Sequence, residues 1–510
     1  MNHLPTPGGG GAMGSADRTG RLVIPALALA TAATTLAVGS IVGRSPEAIV
    51  ASALAAAGAL VIILLIRPAP VMAFGVLFLV ASLSRLTIDL PFGHVRVEQP
   101  AILGSFVALA LLGRLGTLRD RSVVAVGACF GLYLAVMVVS SVLKAPVLAV
   151  SLRLLIWTAI SMLSAVVAYA LLVGRSGEEQ RSLSWVGALQ GLGGFAIAGL
   201  FLVAGPLGIP GMQVSPGEFP KVASVDFEAN LFASLLALLA PFALEEWRRR
   251  RTALSAAVLV ITIVALGLGV TRGAYLGLAS GLVVYFGLLA VRLVPRAVLG
   301  PLVGLTAVAL LLAPVTALVL LPAERPAAPV SSPAPVSSPA PVSSPAPGAS
   351  APAGSMAATT APPTPSPTPV ADTLAFRLNR VPAALADIKT SPIIGLGAAA
   401  FGQRHIRPDV PETRDYIGML ALVAVYETGI MGALALAAGF VLLLALLVWR
   451  GKGDVGRAAA YAGSITAFLV SYEATNALWF SINWLIVGAA LAFVVRARRS
   501  ASASFGPRAD

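Results

Sequence analysis

The chain has 510 residues, of which 57% are hydrophobic and only 11% charged, with a formal net charge of +13. Soluble globular chains carry roughly 25% charged residues, so this one cannot dress a water-facing surface of its size, and a bilayer is its natural solvent. The positive balance is not a nucleic-acid signal, because most basic residues stand in short caps between apolar runs and no basic groove can be built from them.

The first twenty residues are Gly-rich and polar and precede an apolar run, which reads as a tail before a retained helix. About fourteen apolar runs then suit spans of about 20 residues. They lie near 22–43, 47–66, 69–84, 99–114, 122–142, 151–173, 184–204, 229–245, 252–270, 273–291, 297–321, 429–448, 456–472 and 480–495. The expected fold is therefore an all-α polytopic helical bundle. Its parts are a tail over 1–21, eleven spans over 22–321, three more over 429–496, and a second tail over 497–510.

Basic caps fall on alternate connections: Arg18/Arg21, Arg67, Arg114/Arg119/Arg121, Arg175/Arg181, Arg248 to Arg251, Arg292/Arg296, Arg450/Lys452 and Arg496/Arg498/Arg499. The positive-inside rule then puts both termini in the cytoplasm and the chain in the cytoplasmic membrane. Trp247 and Trp449 fall at cytoplasmic edges, and Trp479 and Trp484 at outer edges, where interfacial anchors are expected.

That assignment leaves one long extracytoplasmic segment, 322–428. Its first half, 322–372, contains the tandem repeat "APVSSPAPVSSPAPVSSPAP" and reads as an extended low-complexity spacer. Its second half, 373–428, is an ordered cap. "TLAFRLNRVPAALADIKTSPIIGLGAAAFGQRH" has a helical pattern ending at Ser391-Pro392 and then a Gly-rich turn. "RDYIGMLALVAVYETGIMG" is a further helix, interrupted at Thr428-Gly429. The Gly/Ala stretches "GLASG" and "GALQGLGG" predict close helix packing.

The single cysteine, Cys129, and three scattered histidines exclude a disulfide framework and a histidine-rich metal cluster. There is no Asp-x-Asp, so no metal site and no cofactor are expected. Charged residues near the outer face stand out. Arg272 interrupts an apolar seam in "VTRGAYLGLASG", and Arg153 lies about seven residues into a span; both suit either a lipid or ion-pair role or a substrate anion. Candidate general bases on that side are Glu427, Asp415 and His405, with Glu228 and Glu473 as further carboxylates, and the residues alone do not choose among them.

Four stretches read together resemble the O-antigen ligase and polysaccharide polymerase family of multi-pass membrane glycosyltransferases. "VDFEANLFASLLALLAPFAL" resembles a helix start that places Asn230 on the family's asparagine. "TRGAYLGLASG" resembles its Ser-Arg-Gly segment, with Arg272 on the arginine. "FRLNRVPAALADIKTSPIIGLGAAAFG" resembles its arginine and Pro-x2-Gly-x-Gly loop, with Arg377 on the second arginine and Arg380 beside it. "ALVAVYETGIMG" resembles its Glu-Thr-Gly-x-x-Gly helix. Val381 replaces an aromatic residue of the loop, and Gly418 stands where ligase members carry a histidine, which favours polymerase over ligase.

The resemblance implies transfer of glycan from a polyprenyl-diphosphate carrier at the outer leaflet, without metal, with Arg272, Arg377, Arg380, Arg153 and Asn230 binding diphosphate and substrate. It implies membrane lipids as surroundings, and a chain-length regulator or flippase of the same pathway as partners. A transporter or flippase of lipid-linked oligosaccharide, and an inactive component of cell-surface polysaccharide assembly, are the readings that compete with it.

Overall fold

The computed structural model describes residues 69–83, 87–90, 93–96, 98–175, 178–204, 212–213, 220–224, 228–291, 378–405, 416–473 and 478–504. The expected spans at 22–43, 47–66 and 297–321, the spacer 322–372, the expected tail 1–21 and residues 505–510 of the expected tail 497–510 lie outside these residues; residues 497–504 continue the last helix. Each of the other eleven expected spans coincides with a helix. In chain order these are α1 (Pro70–Ala81), α2 (Glu98–Leu111), α3 (Arg121–Lys144), α4 (Leu148–Leu172), α5 (Glu179–Ala204), α6 (Ala229–Arg250), α7 (Ala253–Leu266) and α8 (Arg272–Val291). After them come α9 (Val381–Ile388), α10 (Ala400–Arg404), α11 (Leu420–Arg450), α12 (Val455–Tyr472) and α13 (Ser481–Ser504). Two short antiparallel pairs supplement the helices: β1 (Thr87–Leu90) with β2 (Gly93–Arg96), and β3 (Met212–Gln213) with β4 (Lys221–Val222).

Seven of the described helices are long and apolar enough to cross a membrane, since 20 residues at about 1.5 Å per residue match a hydrocarbon core of roughly 30 Å. Large apolar side chains stand bare on their outer faces, among them Val283 on α8 and Leu434 and Val441 on α11. Such a belt is untenable in water and matches lipid tails. The protein is a multi-pass membrane protein.

At the centre stands α6, buried from Leu231 to Glu246. It is enclosed by α5, α7, α8 and α12. Small residues set how close the neighbours come. A Cβ at Gly277 would lie 2.6 Å from the carbonyl oxygen of Ala467, and one at Gly281 2.6 Å from that of Gly463, so α8 and α12 touch backbone to backbone. A second layer pairs α3 with α11 and α4 with α13.

Contacts sort the helix ends into two faces, as the alternating caps require. On the arginine face, Glu245 accepts from Arg248 (2.5 Å), Arg249 (2.6 Å) and the Tyr285 hydroxyl (3.0 Å). Asp454 pairs with Arg249, Arg496 with Glu179, and Arg450 donates to Ser122. The opposite face, called here the loop face, carries the β1–β2 hairpin, the connection between α3 and α4, and the segment 378–405. Trp484 departs from expectation: it is 1% exposed, with its indole nitrogen donating to the Leu478 carbonyl at 2.7 Å. Its ring packs edge-on against Phe130 inside the bundle, so it is a core residue and not an interfacial anchor.

Candidate functional site

The loop face is built around a break in α11. Gly429 has φ 62° and ψ −172°, which interrupts the helix between Thr428 and Ile430. A break inside an apolar helix strands carbonyls before it and amides after it. The stretch 391–399, "SPIIGLGAA", meets that need. The amides of Leu396 and Gly397 donate to the carbonyls of Tyr426 (2.9 Å) and Glu427 (3.0 Å), and the amides of Ile430 and Met431 donate to those of Pro392 (2.9 Å) and Ile393 (3.1 Å). Gly395, at φ +76°, faces Gly429 at the crossing, and a Cβ on either would overlap the other segment's backbone.

The Glu427 side chain turns inward under the loop and is buried. Its Oε1 accepts from the Ala399 amide at 2.8 Å, where Ala399 is itself held at φ 54°. Serines on α3 and α4 complete the seat. Ser140 donates to the Glu427 carbonyl (2.8 Å), the Ala398 amide donates to Ser141 (3.0 Å), and Ser151 donates to the Ala398 carbonyl (2.6 Å). Gln403 then bridges Ser151 and the Val147 amide.

Over this seat lies a second constellation. Asp387, on α9, accepts at one oxygen from the Tyr426 hydroxyl (2.6 Å) and from His405 Nε2 (2.9 Å). Burial pushes the Asp387 carboxyl up, but the bonds from Tyr426 and His405 outweigh it and hold the carboxyl below its ordinary value. The imidazole packs on Phe401, ring centres 4.4 Å apart, and Phe401 meets Tyr426 edge-on at 5.4 Å.

The expected site residues distribute unevenly. Glu427 and His405 are linked only through neighbours: Glu427 bonds the Ala399 amide, and His405 shares Asp387 with Tyr426, the residue before Glu427. Arg272 begins α8 on the loop face and is exposed, and no hydrogen bond or ion pair holds its guanidinium among the described residues. It follows Val270, held at φ 45°, and a turn in which a Cβ at Gly269 would lie 2.7 Å from that of Ala233. That contact joins the Arg272 segment to the start of α6, where Asn230 is half-buried in the first turn. Arg153 is exposed on α4, two residues beyond Ser151, and Arg380 is the half-buried residue that precedes α9. Glu473 caps the first half of α11, accepting from the Ala421 amide at 3.1 Å. Glu228 immediately precedes α6. Arg377 and Asp415 lie outside the described residues.

Sequence reasoning missed Asp387, Tyr426 and the serines of α3 and α4. Asp387 sits in an amphipathic stretch where one more polar residue carries no signal. The serines lie in apolar spans and read as packing residues. Also unforeseen was the Arg96–Glu98 pair, 3.1 Å apart and fully buried on the loop face at the junction of β2 and α2. The chain matches no known protein-family model and no curated protein.

Proposed function

We propose that the protein is a membrane glycosyltransferase of the O-antigen ligase and polysaccharide polymerase type, a polymerase before a ligase. It extends glycan from a polyprenyl-diphosphate carrier at the outer face of the cytoplasmic membrane. The observation that carries the reading is how the four resembling stretches meet in two pairs on one face. Residues 391–399 interlock with the break at Gly429, and the turn before Arg272 packs on the first turn of α6 beside Asn230. Glu473, at the end of the helix that packs on α8, caps the first half of α11. All of this lies on one face, opposite the arginine clusters that the positive-inside rule assigns to the cytoplasm.

The chemistry asks for such a face. When an acceptor hydroxyl attacks the anomeric carbon, the carrier diphosphate leaves with the bonding electrons and its negative charge grows. A guanidinium binds phosphate oxygens bidentately, stays charged, and is worth most where water is partly excluded. Arg272 is exposed at the start of α8 on the loop face, and no partner holds its guanidinium among the described residues; Arg153 and Arg380 are further cations there, and Arg377 is the second arginine of the resembling loop. Asn230, at the start of α6, adds an amide beside a helix N-terminus, which favours an anion or a sugar hydroxyl. No step needs a nucleotide or a redox group, so the reading calls for no cofactor.

The test is a comparison of cells with wild type, a deletion, or Arg272→Ala at matched membrane levels, followed by extraction and sizing of carrier-linked glycans. Single repeat units accumulating in both mutants is the polymerase result. Full-length glycan stranded on the carrier would make the protein a ligase. Carrier-linked units trapped on the inner leaflet would make it a flippase and overturn the proposal.

A further inference from the structure

Acid–base chemistry on the loop face needs a group that can reach an acceptor. Glu427 is buried, and its Oε1 is occupied by the Ala399 amide. Glu473 is engaged at the Ala421 amide. His405 differs: about a third of its side chain is exposed, and a carboxylate stands behind its Nε2.

From this geometry we infer that His405 is the base that takes the proton of the acceptor hydroxyl, with Asp387 and Tyr426 as its positioning residues; the inference rests on the glycosyltransferase reading. An ionised Asp387 can only accept hydrogen bonds. The imidazole must therefore present N–H from Nε2, and in the neutral ring the lone pair falls on Nδ1. The carboxylate in turn is fixed by the Tyr426 hydroxyl, and the ring plane by Phe401. A base oriented by a third group is the arrangement that acyl transfer uses, and at an attacking sugar hydroxyl it would avoid a free alkoxide.

The step balances. The acceptor oxygen forms a bond to the anomeric carbon, and the bond from that carbon to the carrier phosphate breaks. The electron pair leaves with the diphosphate, and the hydroxyl proton passes to Nδ1. The resulting imidazolium is paired with Asp387 and returns its proton to water. Among the described residues, the charged and titratable groups around this constellation are Asp387 on α9, Arg404 on α10, and Tyr426 with the buried Glu427 on α11. Arg404 donates to the Lys144 carbonyl at 3.3 Å.

The experiment uses full-length protein in lipid nanodiscs with carrier-linked repeat units extracted from the deletion strain, and records turnover against pH. A base that must arrive unprotonated gives the wild type an acid limb. His405→Ala is expected to lose at least about 100-fold in turnover and to lose that limb, and added imidazole is expected to restore part of the rate. Asp387→Asn and Tyr426→Phe are expected to lower the plateau and keep the limb. His405→Ala that turns over like wild type, or that loses turnover equally at every pH and is not rescued by imidazole, would overturn the assignment. Wild-type protein without any turnover would remove the glycosyltransferase reading itself, and the base with it.

Discussion

The Ala399 amide donates to the Glu427 carboxylate at 2.8 Å beneath the loop that crosses the broken helix. The backbone carbonyl of the same glutamate accepts from Gly397 and Ser140, so one residue ties α3, the loop and the first half of α11 together. What the loop needs from the side chain is an acceptor. Glu427→Gln keeps one and is expected to leave the apparent melting temperature of the purified protein close to wild type. Glu427→Ala leaves the half-buried Ala399 amide without this acceptor, at a cost below the roughly 1–3 kcal/mol of a fully buried donor, and is expected to melt lower. Equal melting of the two variants would show that the amide finds another partner.

The glycine crossing is less forgiving. Gly429→Ala asks an L-residue to hold φ 62° with its Cβ against the backbone of Ile393. Backbone strain of this kind costs of order 1–3 kcal/mol before the overlap is counted. The variant is expected to reach the membrane at reduced levels, and limited proteolysis is expected to cut it near 391–405 where the wild type resists. Protease resistance matching wild type would mean the loop does not depend on this contact.

Much of this was legible in the sequence, for definable reasons. Spans announce themselves by composition, so each expected run within the described residues is a helix. The break at Gly429 was legible because a Thr-Gly step inside an apolar helix has few other readings. The glycines of "GLASG" foretold close packing, and Gly277 and Gly281 do bring α8 against α12. Partnership across the fold was not legible. Nothing local says that Ser140 or Ser151 serves a carbonyl more than 240 residues away, or that Asp387 faces His405. Trp484 misled because a tryptophan near a span end looks the same whether its ring faces lipid or Phe130.

Arg96 and Glu98 are both buried, and the guanidinium lies 4.8 Å and 4.7 Å from the ring centres of Trp479 and Phe480 while donating to the Trp479 carbonyl. The pair pins the β1–β2 hairpin to the start of α13. Removing one charge leaves the other buried and uncompensated, which typically costs about 3–5 kcal/mol. Arg96→Met is therefore expected to destabilise strongly. Arg96→Met with Glu98→Gln is expected to recover a large part of the loss, read as apparent melting temperature. A double variant no better than the single one would assign the loss to the Trp479 contacts and not to the charge pair.

The two faces make an orientation test simple. Lys389 is exposed on the loop face and Lys452 on the arginine face. In a Cys129→Ser background, Lys389→Cys is expected to react with a membrane-impermeant maleimide on intact cells. Lys452→Cys is expected to react only after permeabilisation. The reverse pattern would invert the chain, place the arginine clusters outside, and withdraw the outer-leaflet substrate.

Arg272 separates fold from function most cleanly. Its guanidinium is exposed and holds no partner among the described residues, so Arg272→Ala is expected to change stability by no more than about 0.5 kcal/mol. Activity is another matter if the residue meets a diphosphate. Alanine removes both charge and fork, whereas Arg272→Lys keeps the charge but not the bidentate geometry. The expected order of polymer formed per unit of membrane protein is wild type, then lysine, then alanine, with all three melting alike. Equal polymer from all three would leave Arg272 a lipid anchor, since snorkelling to a headgroup needs charge alone and no particular substrate. A lysine variant as inactive as alanine would mean that the paired hydrogen bonds, and not the charge, carry the binding.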